Sequence, residues 1–309
     1  RKFGWLTWFF ASGLVVLTMI SGVGVKVGGA HRWIQLPMGL RIEPAEILKL
    51  AFILIMSTLI ARYQKFQPKR ILVWSVCLIA PMALVLKQPD FGTFALIISV
   101  GFGLLFVFGL PWGAILGAMA AALPAFYFLV MSVEYRRNRV LAFLDPWSDT
   151  HQRGFQVIQS MLSFHSGGFW GTGLGQGQGK LFFLPEAHTD FTLAVLGEEM
   201  GFLGLLVVMS LYSYLIFRCF QLSLKSDDRF KKSLCLGVAL TFGLTIFINA
   251  GMSMGLLPTK GMALPFLSYG GSSLVATCLM FGLMLNLEAE ISDESQPRRR
   301  VADLLVEKR

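Results

Sequence analysis

Residues 191–218, FTLAVLGEEMGFLGLLVVMSLYSYLIFR, decide the fold class, because only Glu198, Glu199 and Arg218 bear charge in the whole run. A helix rises about 1.5 Å per residue, so about 20 apolar residues cross the hydrocarbon core of a bilayer. This run exceeds that length. Its apolar residues are continuous, without the alternation of a barrel strand, so a helix is implied. Working outward, seven more segments meet the same standard: 4–24, 44–62, 71–87, 91–110, 112–133, 234–256 and 262–287. The expectation is an all-α integral membrane protein, a polytopic bundle of about 8 transmembrane helices. Its domain plan is a single transmembrane domain over 1–287 and a charged, poorly ordered cytoplasmic tail over 288–309.

Composition agrees. The 309 residues are 55% hydrophobic and 15% charged, with a mean hydropathy of +0.64, whereas soluble domains carry roughly 25% charged residues. The net charge of +9 could suggest nucleic acid, but the basic residues lie between apolar runs and in the tail, with no aromatic-interleaved basic domain. They obey the orientation rule instead. With both ends cytoplasmic, the short inner stretches 1–2, 61–70 and 218–232 hold eleven Lys or Arg against five in the outer connectors 25–41, 87–92 and 250–261. Cys77, Cys219, Cys235 and Cys278 form no CxxC pair and read as small packing residues. No cleavable signal peptide is recognisable, and an opening at Arg1 suggests a fragment.

The segment 134–190 is then a large extracytoplasmic loop, and long ordered loops are usually functional. EYRRNRVLAFLDPWSD is polar and suited to the headgroups; FQVIQSMLSFH has the helical spacing of an interfacial helix; GGFWGTGLGQGQGK has a permissive backbone. LPEAHTDF then leads into the 191–218 helix.

Several polar residues compete between structural and functional readings. Asp190 could be an N-cap, or a carboxylate at the membrane surface beside Glu186 and His188; spacing leaves the two level. Glu198 and Glu199 lie deeper in the same helix, where a carboxylate needs a partner or a wet cavity, and at least one is expected in an ion pair. Glu46 and Lys49, spaced i, i+3, fall on one helix face and can pair or touch substrate. Arg136, Arg137 and Arg139 suit lipid headgroups or a diphosphate. LPTKGMALPFLSYGG, with Lys260, Ser268, Tyr269, Gly270 and Gly271, marks irregular backbone that lines a groove or a packing joint. The four histidines lack metal-ligand spacing, and the glycine stretch lacks the GK[ST] of a phosphate loop.

At these residues the chain resembles the SEDS family of peptidoglycan polymerases, its division branch in particular. The matching runs are AHRWIQL (30–36), RIEPAEILKL (41–50), QPDFGT (88–93), FLDPW (143–147), GTGLGQGQGKLFFLPEAHTDF (171–191), GEEMGFLG (197–204) and LPTKGMALPFLSYGGSS (257–273), in the family's order. The resemblance implies a family fold of ten helices, of which the first two are missing here. It implies glycosyl transfer on lipid II, with Asp190 as the essential aspartate and Glu46 and Lys49 lining a central cavity. Arg136, Arg139, Glu186, His188, Lys260, Ser268 and Gly270 join the expected substrate-binding set. The expected partners are a class B penicillin-binding protein (a single-pass transpeptidase) and other division proteins, in the bacterial inner membrane at the division site. No nucleotide, organic cofactor or nucleic acid is expected; a divalent cation, Mg or Mn, is a candidate partner of the diphosphate.

The chemistry follows from the leaving group. Glycosidases commonly need two carboxylates, because the leaving sugar oxygen must be protonated. A lipid diphosphate departs as a stable anion, so one base suffices: Asp190 takes the proton of the acceptor GlcNAc 4-hydroxyl. A lipid II flippase and a non-catalytic division scaffold are the alternatives. A transporter would concentrate polar groups at the midplane, whereas here they gather in the outer loop, with Asn249 and the 198–199 pair as the exceptions.

Overall fold

The computed structural model describes residues 3–20, 22–27, 30–62, 68–149, 154–179 and 185–306. Arg1, Lys2, His151, Lys180 and residues 307–309 lie outside them. In chain order the helices are α1 (Gly4–Leu17), α2 (Pro44–Arg62), α3 (Pro68–Lys87), α4 (Phe91–Val107), α5 (Trp112–Phe126), α6 (Glu134–Leu144), α7 (Phe155–Gly167), α8 (Thr192–Lys225), α9 (Arg229–Ser253) and α10 (Gly271–Val306). Among the described residues, five helical stretches are long and apolar enough to cross a membrane: Pro44–Arg62, Trp112–Met131, Thr192–Lys225, Arg229–Ser253 and Gly271–Asp293. Three shorter apolar helices, Gly4–Leu17, Cys77–Lys87 and Phe91–Val107, fall on the remaining expected segments. The protein is a multi-pass membrane protein.

Local chemistry sets the helix ends. Pro44 opens α2, where its fixed φ suits the first turn, and Glu46 and Arg62 sit at the ends that favour their charges. Asp90 caps α4, its Oδ1 accepting the Thr93 N–H at 3.2 Å. Pro124 removes a backbone donor inside α5, and the chain widens immediately afterwards into a π-turn at Tyr127–Met131.

Contacts group the chain into two compact units: Arg1–Leu105, Ile216–Thr241 and Gly271–Arg309 in the first, Phe106–Leu215 and Phe242–Gly270 in the second. The first unit's core is built around α2. A Cβ on Gly101 would come within 2.8 Å of the Phe52 ring, and one on Gly237 within 2.5 Å of Ile53. Small residues thus let helices approach where no hydrophobic driving force separates protein from lipid.

The all-α class stands, and three details differ from expectation. The connector after α1 forms an antiparallel sheet of β1 (Gly24–Val27), β2 (Ala30–Gln35) and β3 (Arg41–Ile42), with Val25 opposite Trp33 and Ile34 opposite Ile42. Its β-branched residues favour a pleated surface. The last helix begins at Gly271, not 262, because Pro265 and the SYGG turn interrupt it. It also runs on to Val306, past the expected end at 287. Within the first unit Glu288 pairs with Arg218 and Glu290 with Lys231 (2.9 Å), which extends the ordered helix beyond the apolar stretch.

Candidate active site

The turn at 185–190 is built by Glu186. Its φ of +56° is in the left-handed region, which costs a non-glycine residue of order 1 kcal/mol. In return its carbonyl collects the N–H groups of Thr189 (3.2 Å), Asp190 (3.0 Å) and Phe191 (3.3 Å). Its carboxylate accepts the Thr189 hydroxyl at 2.9 Å. Asp190 is thereby presented, half-buried, just ahead of α8.

The turn is stitched to the 257–270 segment within the second unit. The His188 carbonyl accepts the Tyr269 N–H at 2.8 Å and the Thr192 hydroxyl at 3.0 Å. The Thr192 and Ser268 hydroxyls lie 3.0 Å apart, and Ser268 Oγ accepts the Leu264 N–H at 2.8 Å. The Asn249 amide donates to the carbonyls of Asp190 (3.0 Å) and Met262 (2.7 Å). A Cβ on Gly261 would stand 3.0 Å from Asp190 Oδ2, so a bare glycine backbone lies against the carboxylate. Arg139 on α6 donates to the Thr259 carbonyl at 3.2 Å, next to Lys260.

The second unit therefore brings together Asp190, Arg139, Lys260 and Ser268. Glu186 and His188 flank them with exposed side chains, and the His188 backbone forms the contacts described above. Gly270 closes the segment ahead of α10. Arg136 donates to the Leu129 carbonyl, and burial lowers its pKa from the usual guanidinium value.

Glu46 and Lys49 belong to the first unit, where they pair at 2.7 Å with little exposure. Sequence reasoning passed over their neighbour Glu43, at the β3–α2 junction. Burial, then Glu46 and Asp90, push its carboxyl up to about 8, against the pull of Lys49 and Arg32. Its N–H donates to Ser272 Oγ at 2.9 Å. Arg32 clamps the turn before α4, donating to the carbonyls of Gln88 (2.9 Å) and Pro89 (2.7 Å). The motifs AHRWIQL and QPDFGT already held Arg32 and Asp90; nothing in their spacing assigned them a task.

Glu198 is fixed by backbone donors. Only 4% exposed, it accepts the Gln178 N–H at 2.8 Å and the Gly179 N–H at 3.0 Å, while Glu199 accepts the Gly175 N–H at 3.0 Å. Successive backbone N–H groups of a glycine-rich loop satisfy a carboxylate as an anion nest does. The same loop completes a break in α8 at Gly201 (φ 64°, ψ −165°). Phe202 and Leu203 donate to the Gly168 and Phe169 carbonyls (2.9 and 3.3 Å), and the Glu198 and Glu199 carbonyls accept from Thr172 and Gly173 (2.9 and 3.0 Å).

Chemically, the second unit holds a carboxylate able to take a proton, near cations able to face an anion. No group of three or more His, Cys, Asp or Glu among the described residues is placed to hold a metal.

Residues 3–293 match the model of the FtsW, RodA and SpoVE family, described as cell cycle proteins. The probable peptidoglycan glycosyltransferase FtsW of Geobacter metallireducens is 43% identical over 90% of this chain and 75% of its own. The protein of the same description from Pasteurella multocida is 40% identical over 91% and 72%. Among solved structures, one described as structural coordination of polymerization and crosslinking by a peptidoglycan synthase complex superposes with a TM-score of 0.76, at 29% identity over 94% of this chain and 82% of that one. The rod shape determining protein RodA of Thermus thermophilus gives 0.65, at 27% identity over 91% and 76%.

Proposed function

The chain belongs to the FtsW, RodA and SpoVE family of cell cycle proteins, and from that premise we propose that it is a peptidoglycan glycosyltransferase that polymerises lipid II. The single observation that carries the site assignment is the Asp190 carboxylate, half-buried on a strained turn and lodged against the Gly261 backbone.

In the proposed step Asp190 accepts the proton of the acceptor GlcNAc 4-hydroxyl. That oxygen forms a bond to the anomeric carbon of the donor MurNAc as the bond to the lipid diphosphate breaks, with inversion. The diphosphate leaves with the electron pair, and Arg139 and Lys260 face its charge from the second unit. General-base assistance of this kind is worth about 10²–10⁴-fold, and fixed cations add to it where charge develops. Glu46, Lys49, Arg136, Glu186, His188, Ser268 and Gly270 are proposed to line the path of the two substrates. The proposed steps use no protein-held metal.

The proposed setting is the bacterial inner membrane at the division site, with both termini cytoplasmic and the 134–190 loop outside. A single-pass transpeptidase is the proposed partner, in line with the polymerization and crosslinking that the matched synthase complex coordinates. The test is a gel assay of the purified full-length protein with its partner and labelled lipid II, with and without chelator. Asp190→Asn should bind lipid II and make no glycan. Wild-type glycan lengths from that variant would defeat the proposal, and leaflet exchange without polymer would replace it with a flippase.

A further inference from the structure

Asn249 lies on α9, away from every motif to which the polymerase reading gives a task, and it is fully buried at 0% exposure. An amide there needs a reason, because an unsatisfied polar group in an apolar interior costs roughly 1–3 kcal/mol. Its Nδ2 makes two donations, at 3.0 Å to the Asp190 carbonyl and 2.7 Å to the Met262 carbonyl, whereas Oδ1 makes no hydrogen bond among the described residues. The opposite amide orientation would set oxygen against two carbonyl oxygens, so the chemistry fixes which atom faces them. One side chain thus ties together two stretches 72 residues apart: the turn that carries Asp190 and the loop that follows Gly261.

Both ends of this clamp adjoin the reacting group. Met262 follows Gly261, whose bare Cα lies against the Asp190 carboxylate, and the carbonyl held at the other end is that of Asp190 itself. Two further ties between the same two stretches, Tyr269 to His188 and Ser268 to Thr192, are anchored beside Asp190. We infer that Asn249 is a positioning residue for the polymerase reaction, whose two amide donations set the register of the Asp190 carboxylate against the Lys260–Gly261 loop. The inference rests on the proposal that Asp190 is the general base.

Positioning acts on turnover more than on affinity, since misplacing a catalytic group by about 1 Å can cost 10²-fold. Asn249→Leu keeps the side-chain shape and removes both donors. The expected result is at least a tenfold fall in kcat for lipid II polymerisation by the full-length protein, with the KM and the lipid II binding stoichiometry within twofold of wild type. Polymerisation by Asn249→Leu within twofold of the wild-type rate overturns the inference, as does a loss confined to KM. Asn249→Asp decides the matter if the leucine variant does not accumulate folded. A carboxyl at this buried position can donate one hydrogen bond while protonated and none once ionised. Its activity relative to wild type should therefore fall between pH 6 and 9, and a ratio constant across that range overturns the clamp. Asp190→Asn is assayed in parallel. If it is inactive while Asn249→Leu is normal, only the clamp fails; if it polymerises normally, the general-base reading fails and the clamp falls with it.

Discussion

Replacing Glu43 with glutamine should stabilise the protein, and by more as the pH rises. Glu43 stands at the β3–α2 junction, where burial and the charges of Glu46 and Asp90 raise its carboxyl from 4.5 to about 8, partly offset by Lys49 and Arg32. The folded state therefore holds this proton more tightly than the unfolded chain. That advantage is complete below the unfolded value and lost as pH rises through about 8, so stability falls across the interval. Each pKa unit corresponds to about 1.4 kcal/mol, which makes the decline from pH 6 to 8 about 2 kcal/mol and the full span at most about 5 kcal/mol. Glutamine has the same shape and no charge to desolvate. The assay is thermal unfolding of detergent-solubilised protein, followed by tryptophan fluorescence. The two proteins should match near pH 5 and part progressively, the wild type melting several degrees lower at pH 8. A wild-type-minus-variant difference that stays constant between pH 5 and 8, or one that shrinks, would refute the reasoning.

Gly261→Ala places a methyl 3.0 Å from Asp190 Oδ2; glycan synthesis should drop about tenfold or more while the thermal midpoint moves little, which the gel assay and a melt together check. Glu198→Gln turns one acceptor into a donor facing the Gln178 or Gly179 N–H, which should cost about 1–3 kcal/mol and raise amide hydrogen exchange at Gln178 and Gly179. Gly201→Ala should be the most damaging of the set, because the added Cβ would stand 2.3 Å from the Gly171 nitrogen at a φ of 64°. Little folded protein is expected from it on size exclusion, whereas Gly13→Ala, with open space around the Cβ, should behave as wild type.

The membrane-spanning stretches were legible because lipid acts on composition, and composition is local. Asp190 stood out as the charged residue just ahead of a long apolar run, with spacing alone leaving cap and surface carboxylate level. What escaped depends on partners remote in the chain. Glu43 was passed over within RIEPAE, because only burial beside Glu46 and Asp90 makes it reluctant to ionise. The backbone donors of Glu198 escaped because sequence shows cations and not the N–H groups of a loop about twenty residues upstream. Gly201 sits in GEEMG without any sign of a break, since a helix tolerates one glycine at about 1 kcal/mol. Only the docked 168–173 stretch makes the discontinuity affordable. The small sheet after α1 was missed because its strands, of two to six residues, are too short for alternation to stand out.

That discontinuity in α8 bears on how firmly the glycine-rich stretch is held. Residues 168–173 supply donors and acceptors to both sides of the break, so lifting them would cost about 0.5–1.5 kcal/mol for each hydrogen bond lost. The 168–173 stretch and the broken helix therefore move as one piece.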